Sequence, residues 1–292
     1  MNIIQSSILG LALLCPLTTA PLAEAAPVTR TLVREGEGIV PQPTRVLLTG
    51  DSLMASLGPQ MKRALDGYEN LTLIPIGKGS TGLARPDFYN WPEVLEKNLI
   101  EHKPHIVVMW IGTNDTQNIY GMKGLGEPLS HAWQKAYYNK LVEIINLVRR
   151  YNAKLIFMSP PVMDKQPFDS KLNSITTLMA WTCKKGKVGF INTRPILADD
   201  KCKYVHRKTM PTGETADIRT PDHIHITANG NNLVMEKLLP MLSSALPGAK
   251  IRKTMNIPPY RLGATGSSKT SRGIRGASVP RSPRAFNKSV SY

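Results

Sequence analysis

The sequence has few cysteines, few acidic residues and few long apolar runs. Its 292 residues include 3 cysteines, and 21 Asp and Glu stand against 37 Lys and Arg. Cys183 and Cys202, the two beyond the N-terminal segment, are too few by themselves for a zinc site. After the first residues, no apolar run is long enough to span a membrane. The overall composition, 41% hydrophobic and 20% charged, is ordinary for a globular protein with a core.

The signatures of three other classes of protein are missing. The glycine-rich segment GKGSTG, residues 77–82, lacks the G-x-x-x-x-G-K-[ST] spacing of a phosphate-binding loop, which argues against a nucleotide site. The α/β-hydrolase elbow requires G-x-S-x-G, and Met54 occupies the position of its second glycine. The chymotrypsin class would require an all-β chain, which the helical patterns of this sequence exclude. No internal repeat is evident.

The N-terminal segment has the pattern of a secretory signal peptide. A short apolar core at residues 8–14 is followed by small residues and by an A-x-A cleavage pattern at residues 23–25, although the usual basic residues are missing. The alternative is a buried helix, and three prolines between residues 16 and 27 argue against it. We therefore predict a signal peptide over residues 1–25.

Export places the mature chain in the periplasm or outside the cell, which is an oxidising environment. In such a compartment Cys183 and Cys202 are compatible with one disulfide. Two separate buried thiols are the alternative that the sequence leaves open.

The C-terminal segment carries most of the excess positive charge. Residues 249–292 hold ten Lys and Arg and no Asp or Glu, so of the net charge of +16 only +6 belongs to the rest of the chain. The segment is also rich in Gly, Ser and Pro, which predicts a disordered tail. An acidic envelope polymer or a lipid surface is the expected partner, and a solvated tail without a partner explains the composition equally well. Nucleic acid is not expected as a partner of an exported protein.

Strand-like and helix-like segments alternate between residues 43 and 248, after a polar linker over residues 26–42. Strands are predicted at RVLLT, LTLIPI, HIVVMWIG, KLIFMSP and VGFINT, and helices around residues 53–66, 93–102, 132–151, 171–184 and 228–244. Continuous apolar strands that alternate with helices indicate an α/β domain with a parallel sheet covered on both faces. Ligands of such sheets bind beyond the carboxyl ends of the strands, and Ser52 and Asn114 follow two such ends.

The segment RVLLTGDSLMASLG places Ser52 at the junction of a strand and a helix. Serine is also a common helix N-cap, so the segment alone does not identify a nucleophile. An activated serine needs a base, a group that orients the base, and donors for the oxyanion. Asp222 and His225 are three residues apart, so a helical turn or tight loop brings them to one side. His223 competes with His225, but a contact between neighbouring side chains such as Asp222 and His223 is geometrically awkward.

The remaining site candidates lie in two loops. The side-chain amide of Asn114, in GTNDTQ, is a candidate oxyanion donor, although Asn and Asp are also favoured in plain turns. Asp87 and Tyr89, with Trp91 beside them, are candidates for the acceptor side of the site. A packed turn explains the segment DFYNWP as well, and we favour packing there. Asp51 is a further candidate for substrate binding.

Four short stretches together resemble the SGNH, or GDSL, hydrolase family. They are Gly50-Asp51-Ser52-Leu53, the glycine loop GSTG, Gly112-Thr113-Asn114-Asp115, and the pair Asp222 and His225. The resemblance covers about residues 43–245 and follows the family's order. STGLARPDFYNWPEVL and RTPDHIHITANG further resemble an exported branch of that family that is catalogued as a domain of unknown function.

The resemblance implies a single flavodoxin-like α/β/α domain over residues 43–248 and an acyl-enzyme mechanism. Ser52 would be the nucleophile, His225 the base and Asp222 the acid that orients the base. The backbone N–H groups of Ser52 and Gly82, with the Asn114 side chain, would form the oxyanion hole, and Gly79 is the second choice for the glycine. No metal or organic cofactor is implied.

Three functions are compatible with these residues. The first is an esterase that removes acetyl or another short acyl group from an extracytoplasmic glycan. The second is an O-acetyltransferase that uses the same acyl-enzyme to modify a polysaccharide. The third is a non-catalytic protein that binds envelope glycan. The complete set of catalytic residue types favours an enzyme, and we predict the esterase.

Overall fold

A computed structural model describes residues 43–68, 70–122 and 127–245 of the chain. Its central sheet has five parallel strands in the order β2-β1-β3-β4-β5. The strands are β1 (Thr44–Gly50), β2 (Leu71–Pro75), β3 (Ile106–Trp110), β4 (Lys154–Met158) and β5 (Gly189–Ile191). This is the flavodoxin-like order of a doubly wound fold. The predicted fold class is therefore confirmed.

In the described part of the chain, five helices cover the sheet. They are α1 (Ser52–Ala64), α2 (Trp91–His102), α3 (His131–Arg150), α4 (Phe168–Gly186) and α5 (Ala228–Ala245). Side chains alternate between the two faces of a strand, so each strand supplies both halves of the core. Leu47 and Val107 pack with α2, α3 and α4 on one face, whereas Leu48 and Val108 pack with α1 and α5 on the other. The continuous apolar runs of the sequence reflect this double burial.

A short antiparallel hairpin, β6 (Arg207–Thr209) and β7 (Thr215–Asp217), was not predicted from the sequence. Its strands are polar and mostly exposed, so they lack the alternation of apolar residues on which a strand prediction depends. The turn is closed by the backbone N–H of Met210, which donates to the Glu214 carbonyl at 2.7 Å.

Cys183 and Cys202 are separate thiols. Cys183 is buried in α4 and Cys202 lies in an exposed turn, and both are free. A disulfide between Cys183 and Cys202 is therefore excluded. The alternative of two buried thiols holds for Cys183 but not for Cys202, which is exposed. Burial raises the pKa of the Cys183 thiol to about 12, so this cysteine acts as an apolar core residue.

Several predictions fall on residues for which no structure is described. The signal peptide over residues 1–25, the linker over residues 26–42 and the basic tail over residues 249–292 lie outside the described residues. Within the described part of the chain, none of the helices has the length and hydropathy to cross a membrane. Nor does that part contain a cluster of three or more His, Cys, Asp or Glu side chains suited to a metal ion.

Candidate active site

Ser52 lies where β1 turns into α1, at the carboxyl-end edge of the sheet. Gly50 ends the strand with a φ of +140°, and the Asp51 N–H donates to the Trp110 carbonyl of β3 at 2.9 Å. The helix then begins at Ser52, with Asp51 as its N-cap. The first N–H groups of a helix have no partner within it, so the backbone N–H of Ser52 is available at the edge where ligands bind.

His225 connects Ser52 to Asp222. Its Nε2 lies 2.9 Å from Oγ of Ser52, and its Nδ1 lies 2.6 Å from Oδ2 of Asp222. Because a carboxylate only accepts hydrogen bonds, Nδ1 of the neutral ring carries the proton and Nε2 accepts from the serine hydroxyl. In sequence His225 is 173 positions from Ser52 and 3 positions from Asp222, and the structure brings the three residues together.

The Asp222 carboxylate is held in its ionised form. Partial burial raises its pKa, but hydrogen bonds from His225, from Thr220 and from the backbone N–H groups of Ile224 and His225 outweigh burial and lower it well below the ordinary value. These donors also fix the carboxylate against the imidazole. Asp222 therefore remains an acceptor for His225 throughout the neutral pH range.

Arg219 fixes the loop that carries both residues, here called the histidine loop (residues 219–227). The Arg219 side chain is fully buried and donates to the carbonyls of Ile224 at 3.1 Å and Val162 at 2.6 Å. Its guanidinium also lies 5.4 Å from the centre of the Tyr204 ring. Burial lowers the pKa of Arg219 to about 10. Sequence reasoning missed this residue, since no local pattern distinguishes a buried arginine from the usual exposed one.

The glycine that faces Ser52 is Gly79. A Cβ atom added at Gly79 would lie 3.9 Å from the Ser52 Cβ, whereas one added at Gly82 would overlap the Asp115 carboxylate. Gly79 therefore lies next to Ser52 whereas Gly82 packs against Asp115, so the geometry favours the second choice, Gly79, over Gly82 as the candidate oxyanion donor. The Asn114 amide donates to the Thr81 carbonyl at 2.9 Å, which ties it to the same loop and leaves its second N–H for a ligand.

Asp87 and Tyr89, the candidates for the acceptor side of the site, follow the glycine loop in the chain. Asp87 forms an ion pair with Arg85, with the closest N–O distance at 2.7 Å. The Tyr89 and Trp91 rings pack edge to face with their centres 4.9 Å apart. The buried Trp91 donates a hydrogen bond from Nε1 to Thr81 Oγ1 at 3.1 Å. The packed-turn interpretation therefore holds for Trp91, whose ring supports the loop from inside.

Asp51 does not face a substrate. Its side chain is fully buried, and its two carboxylate oxygens accept from the backbone N–H groups of Leu53 at 2.9 Å and Thr113 at 3.2 Å. The prediction that Asp51 binds substrate is therefore wrong. Instead, Asp51 joins the start of α1 to the segment after β3, which fixes Ser52 relative to Asn114.

Asp51 and Asp115 form a buried acidic layer under the site. Burial, with a smaller contribution from the nearby Asp115, raises the pKa of Asp51 to about 7 despite the hydrogen bonds from Leu53 and Thr113. Burial also raises the pKa of Asp115, which accepts from Ala84 N–H and from the Tyr137 hydroxyl. Ionisation of Asp51 in the folded protein is therefore coupled to stability.

We expect the stability of the protein to fall as the pH rises from about 4 to about 7. The pKa of Asp51 is about 7 in the folded state against an ordinary value of 3.8. Between these values the folded state binds more protons than the unfolded state, so the free energy of unfolding decreases with pH, by at most about 1.4 kcal/mol per pH unit. Asp51→Asn has no proton to lose, so urea unfolding of this variant should show a flatter pH dependence. Parallel pH profiles for the two proteins would contradict the role of Asp51.

The family model that matches this chain, over residues 45–241, is described as a protein of unknown function, DUF459. The chain belongs to the DUF459 family. The predicted resemblance to the SGNH/GDSL hydrolases, in a branch without an assigned function, is thereby confirmed. No protein of curated function matches the sequence.

Solved structures share the fold of this DUF459 chain. A GDSL-like lipase from Bacteroides thetaiotaomicron matches with a TM-score of 0.51 and 16% identity, over 70% of this chain and 89% of the lipase. LAE5, an α/β hydrolase enzyme from the metagenome of Lake Arreo in Spain, matches with a TM-score of 0.53 and 13% identity, over 70% of this chain and 98% of that one. At these identities the similarity establishes the fold of the DUF459 domain.

Proposed function

We propose that this protein is a serine esterase that removes a short acyl group, an O-acetyl group in particular, from an extracytoplasmic polysaccharide or cell-envelope glycan. The observation that carries the proposal is the unbroken series of contacts from Ser52 Oγ through the His225 ring to the Asp222 carboxylate. A serine with a base and an orienting acid in this order is the arrangement that acyl transfer requires. The fold shared with a GDSL-like lipase supports the same reaction class.

In the acylation step, Ser52 Oγ attacks the ester carbonyl carbon while its proton moves to His225 Nε2. The tetrahedral intermediate then expels the alcohol, and His225 gives the same proton to the departing alcohol oxygen. In the second step a water molecule loses a proton to His225 and attacks the acyl-enzyme. Ser52 leaves with that proton and the free acid is released. Asp222 stabilises the imidazolium in both steps.

The negative oxygen of both intermediates would be bound by three donors. The backbone N–H groups of Ser52 and Gly79 and the free N–H of the Asn114 side chain are the available groups. A donor of this kind is typically worth about 3 kcal/mol of activation free energy. Every proton in this scheme is carried by His225, so the chemistry calls for neither a metal nor an organic cofactor.

The exposure of the site favours hydrolysis of a large substrate. The His225 and Asp222 side chains are 41% and 48% exposed, respectively. A surface site of this kind admits a polymer on the alcohol side of the ester, and it also admits the water that completes the second step. An O-acetyltransferase would have to keep water from the same acyl-enzyme, and an exposed imidazole is poorly suited to that.

We further propose that the reaction takes place in the periplasm or outside the cell. The signal-peptide pattern over residues 1–25 supports export. The ten basic residues of the segment 249–292 support attachment to an acidic envelope polymer or lipid surface, which would hold the enzyme near its substrate.

Hydrolysis of 4-nitrophenyl acetate, followed by labelling with a fluorophosphonate, tests the proposal. We expect release of 4-nitrophenol, inhibition by the fluorophosphonate, and a single modified peptide that contains Ser52. With oligosaccharides present, acetate rather than acetylated sugar should remain the main product, and acetylated sugar would instead indicate the transferase. Failure of the fluorophosphonate to modify Ser52, together with no release of 4-nitrophenol above the spontaneous rate, would favour a non-catalytic binding protein.

A further inference from the structure

His223, the histidine that competed with His225 in the sequence, has a carboxylate partner of its own. Its Nδ1 lies 2.8 Å from Oδ2 of Asp164, and the two side chains are 47% and 43% exposed. Asp164 follows β4, so this pair lies at the same carboxyl-end edge of the sheet as Ser52. The histidine loop therefore takes part in two imidazole–carboxylate pairs, and the proposed chemistry uses the one that contains His225.

The Asp164 carboxylate fixes the hydrogen-bonding character of the second ring. Since the carboxylate only accepts, Nδ1 of neutral His223 carries the proton and Nε2 is left as an acceptor. Among the described residues, Nε2 of His223 has no hydrogen-bond partner. A half-exposed acceptor with a fixed orientation is therefore presented beside the proposed active site.

Two more rings stand beside His223. The Tyr204 ring stacks on it at a centroid distance of 5.8 Å and an angle of 11°, and the His206 ring lies at 5.8 Å and 48°. His206 Nε2 is in turn 3.9 Å from the Asp217 carboxylate. The group Asp164, Tyr204, His206, Asp217 and His223 is here called the His223 cluster. It combines carboxylate oxygens with imidazole nitrogens that can accept hydrogen bonds, which suits a ligand with several hydroxyl groups.

The proposed mechanism determines which part of an ester meets this cluster. His225 must lie within hydrogen-bond reach of the departing alcohol oxygen in order to protonate it. Consecutive Cα atoms are 3.8 Å apart, so the Cα atoms of His223 and His225 are separated by about 7.6 Å at most. The alcohol part of the ester therefore extends over the histidine loop, while the acyl carbonyl points to the oxyanion donors.

We propose that the His223 cluster is the subsite for the alcohol part of the substrate, and that this part is a sugar whose free hydroxyl donates a hydrogen bond to His223 Nε2. The inference rests on the proposed esterase function and assigns its alcohol-side selectivity to named residues. Asp164 is a positioning residue in this scheme, because it acts through the orientation of the His223 ring.

Two sugar esters that differ in their hydroxyl groups test the subsite with the full-length protein. They are methyl 6-O-acetyl-glucopyranoside and its tri-O-methyl ether, in which the free hydroxyls are blocked. We expect kcat/KM to be about five- to tenfold higher for the hydroxylated ester, as one hydrogen bond allows. His223→Ala should abolish this preference, and the matched control His131→Ala, on the exposed start of α3, should keep it.

A double-mutant cycle separates positioning from a general structural role. Asp164→Asn should weaken the preference for the hydroxylated ester, and the Asp164→Asn/His223→Ala double variant should lose no more than His223→Ala alone, because both changes remove one interaction. Additive losses of the preference would contradict the role of Asp164.

Hydrolysis of 4-nitrophenyl acetate, an ester without a sugar, distinguishes a failure of the subsite proposal from a failure of the esterase proposal. The subsite is overturned, and the esterase stands, if the wild-type protein hydrolyses 4-nitrophenyl acetate through Ser52 but does not distinguish the two sugar esters. The same conclusion follows if His223→Ala keeps the wild-type preference. An equal loss on all three esters in His223→Ala likewise overturns the subsite, because His223 then only supports the loop. If none of the three esters is hydrolysed through Ser52, the esterase itself is overturned.

Discussion

Replacement of Ser52 by alanine is expected to lower kcat/KM for 4-nitrophenyl acetate by about 10⁴- to 10⁶-fold. In the proposed mechanism Ser52 Oγ forms the acyl-enzyme, and His225 Nε2, 2.9 Å away, accepts its proton in that step. His225→Ala should lose about as much activity, since neither residue is effective without the other. For the same reason the double variant should lose no more than either single variant. Steady-state rates of the purified variants, corrected for spontaneous hydrolysis, measure these losses.

Matched variants show whether the loss is specific. Ser174→Ala and His131→Ala replace exposed residues of α4 and α3, outside the proposed site, and should keep wild-type rates. Asp222→Asn should lower kcat by about 10⁴-fold, because an amide does not hold the tautomer that His225 needs. If Ser52→Ala and Ser174→Ala were equally active, the nucleophile would have to be sought elsewhere, and the contacts between Ser52, His225 and Asp222 would be structural only.

Replacement of Gly50 by alanine is expected to lower the free energy of unfolding by about 3 to 5 kcal/mol. Gly50 combines a φ of +140° with close contact to β3, and an added Cβ atom would overlap the carbonyl group of Trp110. That carbonyl accepts the Asp51 N–H, and the two strands pair at Gly50 and Trp110, so the overlap is relieved only by separating β1 from β3 next to Ser52. Urea unfolding followed by circular dichroism gives the change in stability.

The control for Gly50 is Gly67, which also has a positive φ, of +92°, but has open space where a Cβ would lie. Gly67→Ala tests the backbone conformation alone and should cost about 1 to 2 kcal/mol. Equal losses in the two variants would mean that contact with Trp110 contributes nothing. We expect Gly50→Ala to lose more stability than Gly67→Ala. If the esterase rate of the remaining folded Gly50→Ala protein is also reduced, the turn at Gly50 positions Ser52.

Features of the protein that depend on neighbouring residues were predicted from the sequence. The apolar runs of β1, β3 and β4 and the helical periodicity of α3 gave the sheet and its layers, because burial on both faces imposes a pattern along each element. The spacing of Asp222 and His225 was likewise sufficient, since a turn of three residues brings their side chains together. Element ends were predicted less accurately. The third strand, for example, was predicted over residues 105–112 and spans Ile106–Trp110.

Features that depend on distant residues were decided by the tertiary structure alone. The sequence predicts a substrate ligand at Asp51 because nothing near it in sequence shows that its carboxylate accepts from Thr113, 62 positions away. The choice of Gly79 over Gly82 depends on where Asp115 lies, and the buried position of Arg219 depends on the Val162 carbonyl, 57 positions away. His223 binds Asp164 across 59 positions. Local pattern thus predicted the elements and the Asp222–His225 pair, and the resemblance to a known family joined that pair to Ser52. Packing between segments far apart in the chain decided which polar groups are buried, which face Ser52 and which remain free to meet a substrate.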